Sequence, residues 1–211
     1  MVRDAEATRR RLLDAAADEF SEFGIAGARV DRIATASKSN KAQIYHYFGS
    51  KERLFDAVMN DIVGRTAGSV PITVDDLPGY AGRLFDAYED DPRIARLATW
   101  YRLERPSDPT QLEVLSETIK DELRQIRAAQ KAGVLPSRYR PADLLNLVLH
   151  MTFLWAFVFP ELQGQFSKTA RSHRRRVLVD AVKALLRPEP ESAGRPTPLA
   201  DDHQDDAPSP R

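Results

Sequence analysis

Apolar residues recur along this chain at helical spacing, and alternating strand-like runs are essentially absent. Leu12, Leu13, Ala16, Phe20 and Phe23 line one face of a first helix that Gly24 stops. Val30, Ile33 and Ala34 suggest a short second helix. After the polar break Ser37-Lys38-Ser39, Asn40 can cap a third helix with Ile44, Tyr47 and Phe48 inward and Gly49 at its end. Ser50 caps a fourth, which carries Leu54, Phe55, Val58 and Ile62. Past Gly64 the helices lengthen, and Thr66–Asp76 reads as a loop. Leu77, Tyr80, Ala81, Leu84, Phe85 and Tyr88 then form one stripe. Asp91-Pro92 and Asp108-Pro109 each set a capping carboxylate before a proline suited to a first turn. They open helices bearing Ile94, Leu97 and Tyr101, and then Leu112, Leu115, Ile119, Leu123 and Ile126, the latter closed by Gly133. An apolar helix runs from Pro141 to Pro160, and a last one from about Ser167 to Arg187. The expected class is all-α with about nine helices, divided near residue 64.

Composition changes this picture at one end. Residues 188–211 hold six of the chain's fourteen prolines and six acidic against two basic residues, with no apolar periodicity. They predict a disordered acidic tail. The remaining 1–64 and 65–187 are long enough for substantial cores. There is no cysteine, so disulfides, thiolate metal sites and thiol catalysis are excluded. The first residues lack the apolar segment of a secretory signal, and a cytoplasmic location is expected. No phosphate-binding glycine loop, nucleophile elbow or His-Glu-x-x-His occurs, and the four histidines lack metal-ligand spacing. Neither an enzyme nor a metal site is expected.

Zero net charge conceals an uneven distribution. Between Arg29 and Arg53 six basic residues face two acidic ones, a balance of +4. Within that stretch, residues 29–48 have the form of a helix-turn-helix whose second helix has a polar outer face: Lys41, Gln43, Tyr45 and His46. Lysine and glutamine can reach base edges in a major groove, and tyrosine and histidine can bond phosphate oxygens. Spacing alone also fits an ordinary helical pair with a solvated face. A helical small-molecule-binding or scaffold protein that does not act on DNA is the corresponding alternative.

The local sequence separates these. Ile44-Tyr45-His46-Tyr47-Phe48-Gly49-Ser50-Lys51-Glu52-Arg53-Leu54 resembles the signature that closes the DNA-binding domain of TetR-family (TetR/AcrR) regulators. Residues 8–16, Phe20-Ser21-Glu22-Phe23-Gly24 and Val30-Asp31-Arg32-Ile33-Ala34 resemble that family's first two helices, in order and spacing. The resemblance implies a dimeric, all-helical regulator, most often a repressor, that binds a palindromic operator in double-stranded DNA. It further implies a small-molecule effector in the C-terminal domain, with no other cofactor. By resemblance Lys41, Gln43 and Tyr45 face bases or the groove wall, and Tyr45, His46, Tyr47 and Lys51 face phosphate. Arg29, Lys38 and Asn40 flank them, and Arg3, Arg9, Arg10 and Arg11 can add backbone contacts. Two positions depart from the family pattern. Lys38 and Ser39 stand where a glycine and a small apolar residue are usual, so Lys38 is placed to adopt a left-handed conformation at a cost of about 1 kcal/mol. Ala28-Arg29 replaces the usual Thr or Ser cap, and Arg29 is expected to substitute through its charge.

In the second half, Leu144–Pro160 is a run of 17 uncharged residues. It is shorter than the roughly 20 residues of a membrane span and contains Asn146, His150 and Thr152, so a buried helix is expected and no membrane insertion. Such a helix must cover two faces, and the resemblance assigns one to a partner subunit, together with the stripe Val177, Leu178, Ala181, Val182, Leu185 and Leu186. The aromatics of this half supply the candidate effector pocket: Tyr88, Trp100, Tyr101, Phe153 and Phe157, with His150 and Thr152 as polar handles. Arg171–Arg176 reads as a solvated or acid-paired face.

Overall fold

A computed structural model describes residues 2–105, 112–166 and 168–187, with side chains from Ala5 onward. The expected tail, the Asp108-Pro109 cap and Ser167 lie outside the described residues. Ten α-helices and no strand are present among them: α1 (Val2–Gly27), α2 (Val30–Ala36), α3 (Lys41–Phe48), α4 (Lys51–Ser69), α5 (Leu77–Asp90), α6 (Arg93–Glu104), α7 (Glu113–Lys131), α8 (Pro141–Thr152), α9 (Pro160–Phe166) and α10 (Arg171–Leu185). The protein is all-α.

The first core is the meeting of the stripes on α1 to α4. Leu12, Phe20, Ile33, Ile44, Leu54 and Phe55 are completely buried in it, and Phe20 meets Phe55 edge to face at 5.2 Å. Leu97 of α6 and Leu112 also enter this cluster, so α6 belongs to both halves of the molecule. The second core is built by Tyr80, Leu84 and Phe85 of α5, Ile126 of α7, Leu144 and Val148 of α8, and Leu178 and Val182 of α10.

Four expectations need correction. Helix α4 continues to Ser69, because Val70 N–H still bonds the Thr66 carbonyl at 2.8 Å, so only part of Thr66–Asp76 is loop. The apolar run 144–160 is not one helix: α8 ends at Thr152, a 3-10 turn covers Leu154–Phe157, and α9 begins at Pro160. The last helix starts at Arg171. Phe23 and Tyr47 are exposed rather than inward, Phe23 lying beneath the Arg32 guanidinium at 4.2 Å.

The turn between α2 and α3 closes as a Schellman motif. Ser39 N–H bonds the Ala34 carbonyl at 2.8 Å and Lys38 N–H the Thr35 carbonyl at 3.1 Å, which requires a left-handed residue at Lys38. Lys38 adopts it, with φ 53°, as the only non-glycine at positive φ among the described residues. Helix α7 ends in the same pattern with Gly133 at that place. Lys38→Gly is therefore expected to raise stability by about 0.5–1 kcal/mol in a urea titration. It should also weaken binding to any duplex, since it removes a cation beside α3.

Candidate nucleic-acid interface and effector cavity

Helix α3 is oriented by two buried residues, Ile44 and Phe48, while Lys41, Gln43, Tyr45, His46 and Tyr47 are exposed to solvent. Asn40 caps it, its Oδ1 accepting from Gln43 N–H at 2.9 Å. Ser39 Oγ reaches Gln43 Oε1 at 2.5 Å. Lys41 pairs with Asp31 of α2 at 2.8 Å, and that hydrogen bond and charge raise its pKa above the usual ammonium value.

Helix α2 lacks a side-chain cap of its own. The buried carboxylate of Glu19 on α1 supplies the acceptor: it takes Arg29 N–H at 2.7 Å and pairs with Arg32. Burial alone would raise the Glu19 pKa, yet bonds from Arg32 and from Arg29 N–H, with their charges, hold it below the usual carboxylate value. Arg32 is thereby committed to the fold. Lys51 is also tied inward, its Nζ bonding the carbonyls of Ala28 at 3.2 Å and Ala26 at 3.4 Å. Arg29, Lys38 and Arg53 are exposed and form no ion pair with a described carboxylate. In the arginine run of α1, Arg10 pairs with Asp61 at 3.0 Å, Arg9 stands over the Phe48 ring and Arg11 bonds Thr8.

The second half encloses a cavity of about 530 Å³ between α5, α6 and the segment after α8. Phe85, Tyr88, Trp100, Phe153, Trp155 and Phe157 form its aromatic walls, and Glu89, Arg96, Thr99 and Thr152 its polar points. The rings of Tyr88 and Phe153 stack at 4.3 Å, and Phe85 meets Trp155 at 5.7 Å. Burial pushes the Tyr88 phenol well above its usual range, with the Glu122 carboxylate adding to the shift. Behind this wall the Tyr80 hydroxyl donates to Glu122 at 2.7 Å, and burial raises the pKa of that carboxyl.

Helix α6 joins the cavity to α1. The Ser21 carbonyl, in the last turn before the break at Gly24, accepts from Arg96 Nε at 2.7 Å and Trp100 Nε1 at 3.2 Å. Glu104 Oε2 accepts from Ile25 N–H at 2.7 Å and Ala26 N–H at 3.2 Å, just beyond the break.

Two family models match the chain: bacterial regulatory proteins of the tetR family over residues 12–58, and the tetracyclin repressor-like C-terminal domain over residues 76–183. The HTH-type transcriptional repressor SCO4008 of Streptomyces coelicolor is 37% identical over 77% of this chain and 84% of its own length. The chain belongs to the TetR family of DNA-binding transcriptional regulators. Among solved structures, the transcriptional regulator SCO4942 of Streptomyces coelicolor is 38% identical, with a TM-score of 0.75 over 84% of this chain and 97% of that one. AibR, solved with isovaleryl coenzyme A and operator DNA, shares the fold at a TM-score of 0.64 and 16% identity, over 83% of this chain and 97% of its own.

Of the sequence-predicted residues, those on α3 and its flanks are exposed, and the half-buried Lys51 is turned toward carbonyls of the α1–α2 connection. Among the predicted pocket residues, Tyr88, Trp100, Phe153 and Phe157 line the cavity. Tyr101 and His150 do not. Tyr101 packs on the first core, and His150 lies exposed on α8, its Nδ1 2.8 Å from the Asn146 carbonyl and its Nε2 3.1 Å from Arg102. Sequence reasoning missed Glu89, Arg96 and Thr99, whose alignment with Tyr88 and Trp100 depends on the exact phase of α5 and α6. The basic run of α10 is paired: Arg171 with Asp86 and Asp90, Arg174 with Glu89, and Arg175 with Asp86.

Proposed function

We propose that this protein is a homodimeric, effector-responsive repressor that binds a palindromic operator through α3 and its flanks. Residues 1–64 form its DNA-reading unit and 65–187 its effector and dimerisation unit. The observation that carries this reading is the exposed face of α3, polar along Lys41, Gln43, Tyr45, His46 and Tyr47, with the unpaired cations Arg29, Lys38 and Arg53 around it. A groove-binding helix needs such a face: neutral donors and acceptors for base edges inside a rim of positive charge for phosphates. The name of SCO4008 supports repression, and the AibR complex gives a precedent for effector and operator on one such fold. The protein acts on DNA without an enzymatic step, in the cytoplasm. No described helix is long and apolar enough to cross a membrane.

The test is selection of bound sequences from a random duplex pool, followed by titrations of Gln43→Ala and Tyr47→Phe at several salt concentrations. The selected site should be a palindrome with half-sites one or more helical turns apart. Gln43→Ala should relax preference at one position per half-site, at a cost of about 1–3 kcal/mol. Tyr47→Phe should weaken selected and scrambled duplexes by the same factor. Failure to enrich any sequence, or salt-independent binding, would remove the reading.

A further inference from the structure

We infer that the cavity takes an aromatic organic acid, and that Arg96 is the residue that holds its carboxylate and, by doing so, lets go of α1. The inference rests on the cavity being the effector site of the proposed repressor and adds the chemical class of the effector.

The argument starts from charge. Glu89 and Arg96 are the two charged residues that line the cavity. Glu89 is already neutralised by Arg174 of α10, whose guanidinium also lies over the Phe85 ring. The neighbouring carboxylates on α5 and at the start of α6 are likewise committed: Asp86 to Arg171 and Arg175, Asp90 to Arg171, Asp91 to Arg93. Glu122 does not line the cavity and accepts from Tyr80. Arg96, exposed at the rim of the cavity, has no carboxylate partner among the described residues, and its hydrogen bond there runs from Nε to the Ser21 carbonyl. An aromatic-walled site with one uncompensated guanidinium favours a flat apolar body carrying one negative charge. A bidentate arginine–carboxylate pair joins two ionised partners through two parallel bonds, whereas the bond it would replace is single and has a neutral carbonyl acceptor.

Position gives this exchange a consequence. The Ser21 carbonyl has donors from Arg96 and Trp100, both of which line the cavity. It lies three residues before Gly24 and the connection that carries α2. A carboxylate that draws Arg96 into the cavity removes one of the two bonds that α6 makes to the Ser21 carbonyl, leaving Trp100 there and Glu104 on the amides beyond the break. The acid group of the effector, rather than its aromatic body, would then loosen the DNA-reading unit.

The chain's two tryptophans are Trp100 and Trp155, and both line the cavity, so intrinsic emission reports the site directly. The experiment uses the full-length protein with biphenyl-4-carboxylate and its neutral amide, with binding read by calorimetry and tryptophan emission. Wild type should bind the acid at least ten-fold more tightly than the amide. Arg96→Gln should lose that preference while keeping its affinity for the amide, and Arg96→Lys should restore part of it. The acid should weaken binding to the selected duplex at least five-fold in wild type and leave Arg96→Gln unaffected. Equal binding of acid and amide, binding of neither, or a preference that survives Arg96→Gln would each overturn the proposal. So would an acid that binds through Arg96 and leaves duplex affinity unchanged. Duplex binding without any probe is measured on the same samples: its absence would sink the repressor reading, whereas an absent acid preference with duplex binding intact sinks only this inference.

Discussion

Gly24→Val is expected to destabilise the protein by about 2–5 kcal/mol and to release α1 from α6. Two independent costs act at this position. Gly24 has φ 68° and ψ −175°, a region populated essentially by glycine alone, which costs an L-residue about 1–2 kcal/mol at the least and more when the side chain is β-branched. The space is also occupied: a Cβ built here would lie 2.7 Å from Glu104 Oε1 and 2.8 Å from the Trp100 ring. Overpacking of this kind costs about 1–3 kcal/mol. Neither neighbour can yield without loss. Glu104 is fixed by the amides of Ile25 and Ala26, and Trp100 by the Ser21 carbonyl and the cavity wall. Gly24→Ala, without β-branching, should show a smaller loss in the same direction. Urea denaturation followed by tryptophan emission measures both, and the native emission of Trp100 should shift in the folded variants. Wild-type stability in Gly24→Val would mean that α6 does not rest on this turn.

The contrast between Gly24 and the cavity shows what a sequence exposes and what it conceals. Gly24 was legible as a break, although α1 resumes beyond it to Gly27, because glycine after an apolar stripe has a local cause. The caps at Asn40 and Ser50 were legible for the same reason, each side chain closing on an amide three residues ahead. The end of α8 had no such mark. Leu144–Pro160 is uncharged throughout, and its break at Phe153 comes from tertiary packing: Phe153 leaves the helix to stack on Tyr88, and Trp155 meets Phe85. Tyr101 and Trp100 are equally aromatic neighbours, but a step of about 100° around α6 sends one to the core of α1–α4 and the other to the cavity. The cap of α2 was also beyond local reading, because Glu19 approaches from another helix. The positive φ of Lys38 was foreseeable only from the usual glycine at that turn.

Operator affinity should fall by about 10²–10⁴-fold when the dimer is broken, because two linked α3 helices then become independent binders of single half-sites. Not every residue in the apolar stripe of α10 is free to form that face. Leu178 and Val182 are fully buried in the protomer's own core against α5, so a charge at Leu178 would test folding instead. The outer side of α8 is also polar where it exposes Asn146 and His150. Apolar exposure is concentrated beyond it, at Leu154, Phe157, Phe159, Leu162 and Phe166, and at Val177 on α10. Phe159 is 71% exposed and Val177 44%, and large apolar residues left in water mark a contact surface. The double variant Phe159→Glu/Val177→Glu should therefore fold with near-wild-type stability, since neither side chain contributes to a core, and sediment as a monomer, in contrast to the dimer proposed for wild type. Its affinity for a single half-site duplex should match that of wild type, which separates lost dimerisation from a damaged α3. Light scattering that finds the variant still dimeric would move the interface elsewhere. A monomer that kept full operator affinity would show that one protomer suffices for recognition.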